Sequence, residues 1–309
     1  MKKRLRRAVA VLLTAVMFVC SMGMSSSADT YSANSAVTYR AYDAKTGALL
    51  RTYTLEASPY PAASEARSSQ GVIGTDDREI DDASSGVVKI NTVDGYCYGT
   101  GFVVDEYVIA TAAHVVCGGA DLSVANGRII GSVDLYKDGA SDRTITEIAE
   151  VHVPSSYNNF SGEVNDYALI SISDEVEDLS DYMSFDIGVM RDEFITRSVA
   201  AEAKNERLVY TTGFPDIVNG SSNEQGNLYI GAGNILPASI DSHRQFYHTI
   251  DATSGNSGGP IYTITSYKDR TCYTVIGIVS CSANDEKNKA IRMSAELLHF
   301  YKNNSNIGY

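Results

Sequence analysis

Short apolar runs, broken by Gly, Asn and Asp, recur along most of this chain. They are GVVKINTV (86–93), GTGFVV (99–104), YVIATAA (107–113), DYALISI (166–172), RLVYTTG (207–213), NLYIGAG (227–233), PIYTIT (260–265) and TVIGIVS (274–280). Runs this short and this rich in β-branched residues read as strands. Their spacing is that of antiparallel barrels or sandwiches. Only IRMSAELLHFYK (291–302) carries a helical apolar period, through Ile291, Ala295 and Leu298. No internal repeat and no heptad array interrupts the picture, so the chain is expected to be all-β with a C-terminal α-helix.

The first 70 residues follow another pattern. Residues 2–7 (KKRLRR) are almost all basic, residues 8–20 are apolar and uncharged, and Ser26 and Ala28 suit a cut after Ala28. This is the layout of a secretory signal peptide, assigned to residues 1–28. Its apolar core of about 13 residues is shorter than the ~20 of a spanning helix. Phe18 and Val19 before Cys20 are too large for a lipoprotein cleavage motif. The chain is therefore expected to be secreted and extracellular, without a membrane contact after signal removal. Residues 29–70 are Ser/Ala/Tyr-rich, hold Pro59 and Pro61 and have no sustained period, and they read as a propeptide or linker. A hairpin over 36–55, turning at Lys45-Thr46-Gly47, is the competing reading.

Composition removes whole classes. With 44% apolar residues, 25 Gly and 6 Pro in 309 residues, collagen-like and disordered chains are excluded. A net charge of −13 argues against nucleic acid as a partner and for a soluble secreted protein. No Asp-x-Asp-x-Asp-Gly loop and no His/Cys cluster at zinc spacing occurs, so no metal or cofactor is expected.

Three segments carry candidate chemistry. Thr111-Ala112-Ala113-His114-Val115 ends an apolar strand with a histidine, and Asn165-Asp166-Tyr167-Ala168-Leu169-Ile170 starts one with an acid. Gly255-Asn256-Ser257-Gly258-Gly259-Pro260 sets a serine in a Gly-rich turn. Acyl transfer by serine needs a base in reach of the hydroxyl, a carboxylate to orient that base, and donors aimed at the developing oxyanion. Glycines around the serine let backbone amides converge on one point. Each segment alone is a weak signal. The order His, Asp, Ser makes the set specific.

TAAH, NDYAL and GNSGGP resemble the catalytic segments of chymotrypsin-fold serine peptidases, which are two antiparallel six-stranded β-barrels with the triad between them. VIGTDDREI (72–80), GFP (213–215) and GNSGGP are most similar to secreted bacterial glutamyl endopeptidases of the staphylococcal type. The resemblance spans residues 71–302. It implies a barrel over 71–190 with His114 and Asp166, and a second over 191–309 with Ser257 and the helix. It implies His114 as general base, Asp166 as orienting acid, Ser257 as nucleophile, and the amides of Gly255 and Ser257 as the oxyanion hole. Protein or peptide substrates and a monomer follow as expectations.

The resemblance also frames activation and specificity. Digestive members carry an acid before the nucleophile that pairs with a newly freed N-terminal amine; Asn256 has no charge for that. The mature N-terminus is expected near Gly71 or Val72, its amine beside an acidic substrate side chain. Glutamyl endopeptidases hold that side chain with a histidine where this chain has Val279, which donates no side-chain hydrogen bond. His248 is a candidate substitute. Asp251 matches the base of a trypsin-like pocket and also occurs in glutamyl enzymes, and Ser280 matches a residue that hydrogen-bonds the triad acid. Cleavage after Glu or Asp is thus set against cleavage after Lys or Arg. A non-catalytic pseudo-peptidase is the competing class. An esterase would want the order Ser, Asp, His. His152, His243 and His299 read as surface or packing residues. The resemblance implies a Cys97–Cys117 bridge; Cys272 and Cys281, if on one strand, lie about 30 Å apart, too far for one.

Overall fold

In the computed structural model the described residues are 36–56, 72–73, 75–93, 97–117, 130–157, 164–173, 179–204, 206–224, 226–239, 244–267, 270–284 and 287–304. The signal peptide, the segment 57–71 and His243 lie outside them. No helix among the described residues is long and apolar enough to cross a membrane.

The first half of the described chain runs through β1 (Val37–Asp43), β2 (Leu49–Leu55), β3 (Glu79–Ile80), β4 (Val87–Thr92), β5 (Cys97–Asp105) and β6 (Val108–Thr111). The short helix α1 (Ala113–Val116) follows, then β7 (Ile130–Lys137), β8 (Ala140–Ile145), β9 (Ile148–Pro154) and β10 (Ala168–Ile172). Nine of these strands form one antiparallel sheet in the order β2-β1-β9-β10-β6-β5-β4-β7-β8. Val88, Ile90, Phe102, Ile109, Val133, Leu135 and Leu169 fill its core.

The second half holds β11 (Phe185–Ile187), α2 (Asp192–Glu202), β12 (Val209–Gly213), β13 (Ile217–Val218), β14 (Ser221–Ser222) and β15 (Tyr229–Gly233). It continues through β16 (Gln245–His248), β17 (Pro260–Tyr267), β18 (Arg270–Asn284), β19 (Lys287–Arg292) and α3 (Ala295–Asn304). Six neighbours in the order β16-β19-β18-β17-β12-β15 make the second sheet, extended by β3 beside β15 and by β11, which pairs parallel to β18. Each sheet exceeds the six strands expected of a barrel: without β1 and β2 the first still has seven, and without β3 and β11 the second has six. Residues 79–80 thereby serve the second sheet although they fall between β2 and β4 of the first, and α3 returns to the first through Leu297, Phe300 and Tyr301. The helix starts later than the period from Ile291 implied. Ile291 belongs to β19, and the Ser294 hydroxyl accepts the Leu297 amide (3.2 Å) as an N-cap.

Residues 36–56, read as propeptide or linker with a hairpin as the competing reading, form the β1–β2 hairpin. The Asp43 carboxylate accepts the amides of Lys45 (3.1 Å) and Thr46 (2.7 Å), and Gly47 takes φ +64° to close the turn. β1 then adds to the edge of β9, Tyr39–Asp43 against Pro154–Glu150. The Cys97 and Cys281 side chains lie outside the described residues, and so does the Cys97–Cys117 bridge; Cys117 is buried. Cys272 lies on the same strand as Cys281 and is an unbridged thiol.

Two histidines are core residues. His152 in β9 accepts or donates with the Tyr53 hydroxyl at 2.9 Å, and His248 in β16 is wholly buried. Burial pushes the His248 imidazole down to about 3 and lowers His152 as well, against the pull of Glu150. Between pH 3 and 6.5 the unfolded chain binds the extra proton at His248, so this group's contribution grows as pH rises through that window. Asp251 and Glu296, both raised by burial, act oppositely across the acidic range. We expect the melting temperature of His248→Gln to rise less steeply from pH 4 to 6.5 than that of the parent chain. Equal slopes in thermal melts at six pH values would remove His248 from the account.

Candidate active site

His114 sits in α1, directly after β6. Ala112 and Ala113 before it are fully buried, so the helix packs its small residues against the sheet and leaves the imidazole 18% exposed. Asp166 stands two residues before β10, the antiparallel neighbour of β6 (Ala168 opposite Thr111), which brings the carboxylate under the ring. The carboxylate is fully buried and well supplied with donors. Oδ1 accepts the His114 amide at 2.9 Å, Nδ1–H of the ring faces Oδ2 at 2.8 Å and Oδ1 at 3.0 Å, and the Ser280 hydroxyl donates to Oδ2. A carboxylate only accepts, so the Nδ1 position carries the proton and Nε2 of the neutral ring is the basic nitrogen.

The serine turn is sewn to both sheets. Thr100 of β5 donates its amide to the Ser257 carbonyl (2.8 Å) and its hydroxyl to the Gly255 carbonyl (2.7 Å). On the other side Gly258 donates to Val279 O (2.8 Å) and Val279 to Gly259 O (2.9 Å). The next residue on that strand is Ser280, the donor to Asp166. One step along β18 therefore links the serine turn to the buried carboxylate. Gly255 (φ +91°) and Gly258 (φ +84°) are conformationally obligatory. A Cβ on the first would lie 2.1 Å from Phe214 O, and on the second 2.2 Å from Thr100 O.

The residues proposed for specificity fall into separate places. Val279 is buried within the second core. His248 lies opposite Asn288 of β19, whose amide donates to Ile250 O at 2.8 Å. Asp251 is 3% exposed and engages the N-terminal segment, accepting the amide of Ile73 at 2.6 Å and that of Asp77 at 3.2 Å. Burial raises its carboxyl, the two amides lower it, and Asp77 and Asp76 raise it again. Sequence reasoning passed over Thr100 and Arg78, whose contacts to the serine turn join residues more than a hundred positions apart. No local spacing signals either one.

Two antiparallel sheets meeting at a His–Asp pair and a Gly-bounded serine turn define a chymotrypsin-like fold. The Trypsin family model matches residues 72–301, and the chain belongs to the trypsin family of serine proteases. A solved structure described as Glu endopeptidase in complex with MPD is similar over 76% of this chain and 100% of its own, with a TM-score of 0.56 and 18% identity. No curated protein sequence matches.

Proposed function

We propose that the chain is a secreted serine endopeptidase in which Ser257, His114 and Asp166 act as one unit. The supporting observation is the buried Asp166 carboxylate, held by His114 on one side and by Ser280 of the strand that fixes the serine turn on the other. Ser257 Oγ attacks the scissile carbonyl while His114 Nε2 takes its proton. The tetrahedral oxyanion is received by the amides of Gly255 and Ser257. Collapse expels the amine, which recovers the proton from Nε2 and leaves an acyl-enzyme. Water, deprotonated by the same nitrogen, releases the acid and regenerates Ser257.

An acidic P1 residue is the favoured preference. Asp251, the one candidate for pairing Lys or Arg, has its oxygens taken by the Ile73 and Asp77 amides. That same contact anchors the segment beginning at Val72, where the mature terminus is expected, and the similar solved structure is described as a Glu endopeptidase. In this reading residues 1–28 direct export, a cut near Gly71 or Val72 frees an amine that completes the pocket, and the enzyme works as a monomer close to the staphylococcal glutamyl type.

The test is a peptide library digested by the secreted protein, with Ser257→Ala as control and every cut mapped by mass spectrometry. Cuts after Glu or Asp, absent with Ser257→Ala, are expected. Cuts after Lys or Arg would overturn the acidic preference, and equal cutting by Ser257→Ala would overturn the serine mechanism. A precursor retaining residues 29–70 with full activity would overturn the activation step.

A further inference from the structure

We propose that Arg78 is a positioning residue for the oxyanion hole, clamping the serine turn through the Asn256 side chain; this rests on the reading of Ser257 as nucleophile. The Arg78 side chain is 1% exposed and its five N–H donors meet five contacts. Nε and Nη2 bind the two oxygens of Asp76 (2.8 and 2.7 Å), and Nη2 also donates to Ile217 O (2.6 Å). Nη1 donates to Thr253 Oγ1 (2.9 Å) and to Asn256 Oδ1 (3.1 Å).

Asn256 stands between Gly255 and Ser257, the two residues whose amides form the proposed hole. Its Oδ1 also accepts the Thr253 amide (3.1 Å), so the side chain folds back over its own turn. Its backbone amide donates to Thr253 O (3.1 Å), and its carbonyl accepts from Gly259 (3.0 Å). The turn 253–259 is thereby closed on itself, and Arg78 is the charged group that ties this closed unit to the segment 76–80. Asp76 balances the buried guanidinium, and Arg78 in turn holds the Asp76 carboxyl down at about 2. A neutral amide at 256 suits this arrangement. The acceptor needs one lone-pair oxygen toward Arg78, and the counter-charge is already supplied by Asp76. The clamp comes from a side chain inside the segment, so it does not depend on an amine at the chain terminus.

A rigid aim matters because a hydrogen-bond donor to the oxyanion contributes about 10²–10³ in kcat only when preorganised. A residue acting through the turn changes kcat with little effect on substrate binding. In the secreted protein, Arg78→Ala is expected to lose about 10²-fold in kcat with KM within about threefold, and millimolar guanidinium is expected to restore part of the loss. Arg78→Lys, which keeps charge but loses the fork, should fall between. Asn256→Ala should lose a similar factor, and the double variant no more than the larger single one, since the two act as one unit. Folded fraction is followed by near-UV circular dichroism. A folded Arg78→Ala with kcat within threefold of the parent overturns the proposal. Additive losses in the double variant, or no guanidinium rescue, do the same. Undiminished activity of Ser257→Ala would instead sink the nucleophile assignment on which it rests.

Discussion

Asp166→Asn is expected to lower kcat by about 10⁴-fold while leaving the fold intact. The exchange keeps size and shape, and the site is buried, so packing does not change. What changes is the number of acceptors. Asp166 receives the His114 amide, the His114 ring and the Ser280 hydroxyl, and every one of these is a donor. Asn has one oxygen and one NH₂ group. If the oxygen keeps the His114 amide, the NH₂ faces the ring at the Oδ2 position, and the imidazole must present an acceptor there. The proton then moves to Nε2 and the base toward Ser257 is gone. The measurement is kcat on a cleaved peptide at neutral pH, with thermal melts of both proteins for comparison. A melting temperature within a few degrees of the parent and a 10⁴-fold loss is the expected pair. Activity within tenfold of the parent would remove Asp166 from the catalytic unit. Ser257→Ala sets the floor, at about 10⁶-fold below the parent.

Much of this site was legible because chemistry confines it to short segments. TAAH, NDYAL and GNSGGP need fixed neighbours, and the strands beside them are short apolar runs rich in β-branched residues. What those segments face was not legible. Asp251 stands at the spacing of a pocket base, yet its carboxylate is turned to Ile73, 178 positions away. Arg78 sits in the charged stretch TDDREI, noted above only for its resemblance; its burial comes with contacts to Asp76, Thr253, Asn256 and Ile217. β19 shows the same limit. Ile291 and Arg292, read as the start of the helical run, lie in this strand, where Asn288, Lys289 and Arg292 are all buried, Arg292 because its guanidinium reaches Met190 O and Asp192 at the start of α2. Local propensity is overridden wherever a polar side chain finds its partner across the fold. The hairpin at 36–56 was legible only as a competing reading, from its Lys45-Thr46-Gly47 turn. β2 is mostly exposed, and a strand that adds to an edge shows nothing in its own sequence about that edge.

That hairpin is tied to the catalytic region closely enough that Tyr39→Ala is expected to destabilise the whole protein by about 3–5 kcal/mol, a fall of about 10 °C in melting temperature. Tyr39 is 1% exposed. Its ring stacks on Phe300 of α3, centroids 4.4 Å apart and planes 9° from parallel, and on Tyr53 across the hairpin at 5.6 Å. Its hydroxyl meets that of Tyr167 at 3.1 Å, and Tyr167, the residue after Asp166, reaches Glu296 of α3 at 3.4 Å. Residues 36–56 precede the segment matched by the family, 72–301, yet they supply an aromatic ring to the junction of β10 and α3. Tyr39→Phe keeps the stack and loses one hydroxyl contact, so it should cost only about 1 kcal/mol. The contrast between the two variants separates packing from hydrogen bonding, and activity assayed below the melting range reports whether the strain reaches Asp166. If residues 36–56 were a passive tether, Tyr39→Ala would melt within a degree of the parent, because a tether contributes no core. A ten-degree fall with Phe tolerated would instead mean that the junction of β10 and α3 is built in part on β1, a strand lying upstream of the segment matched by the family.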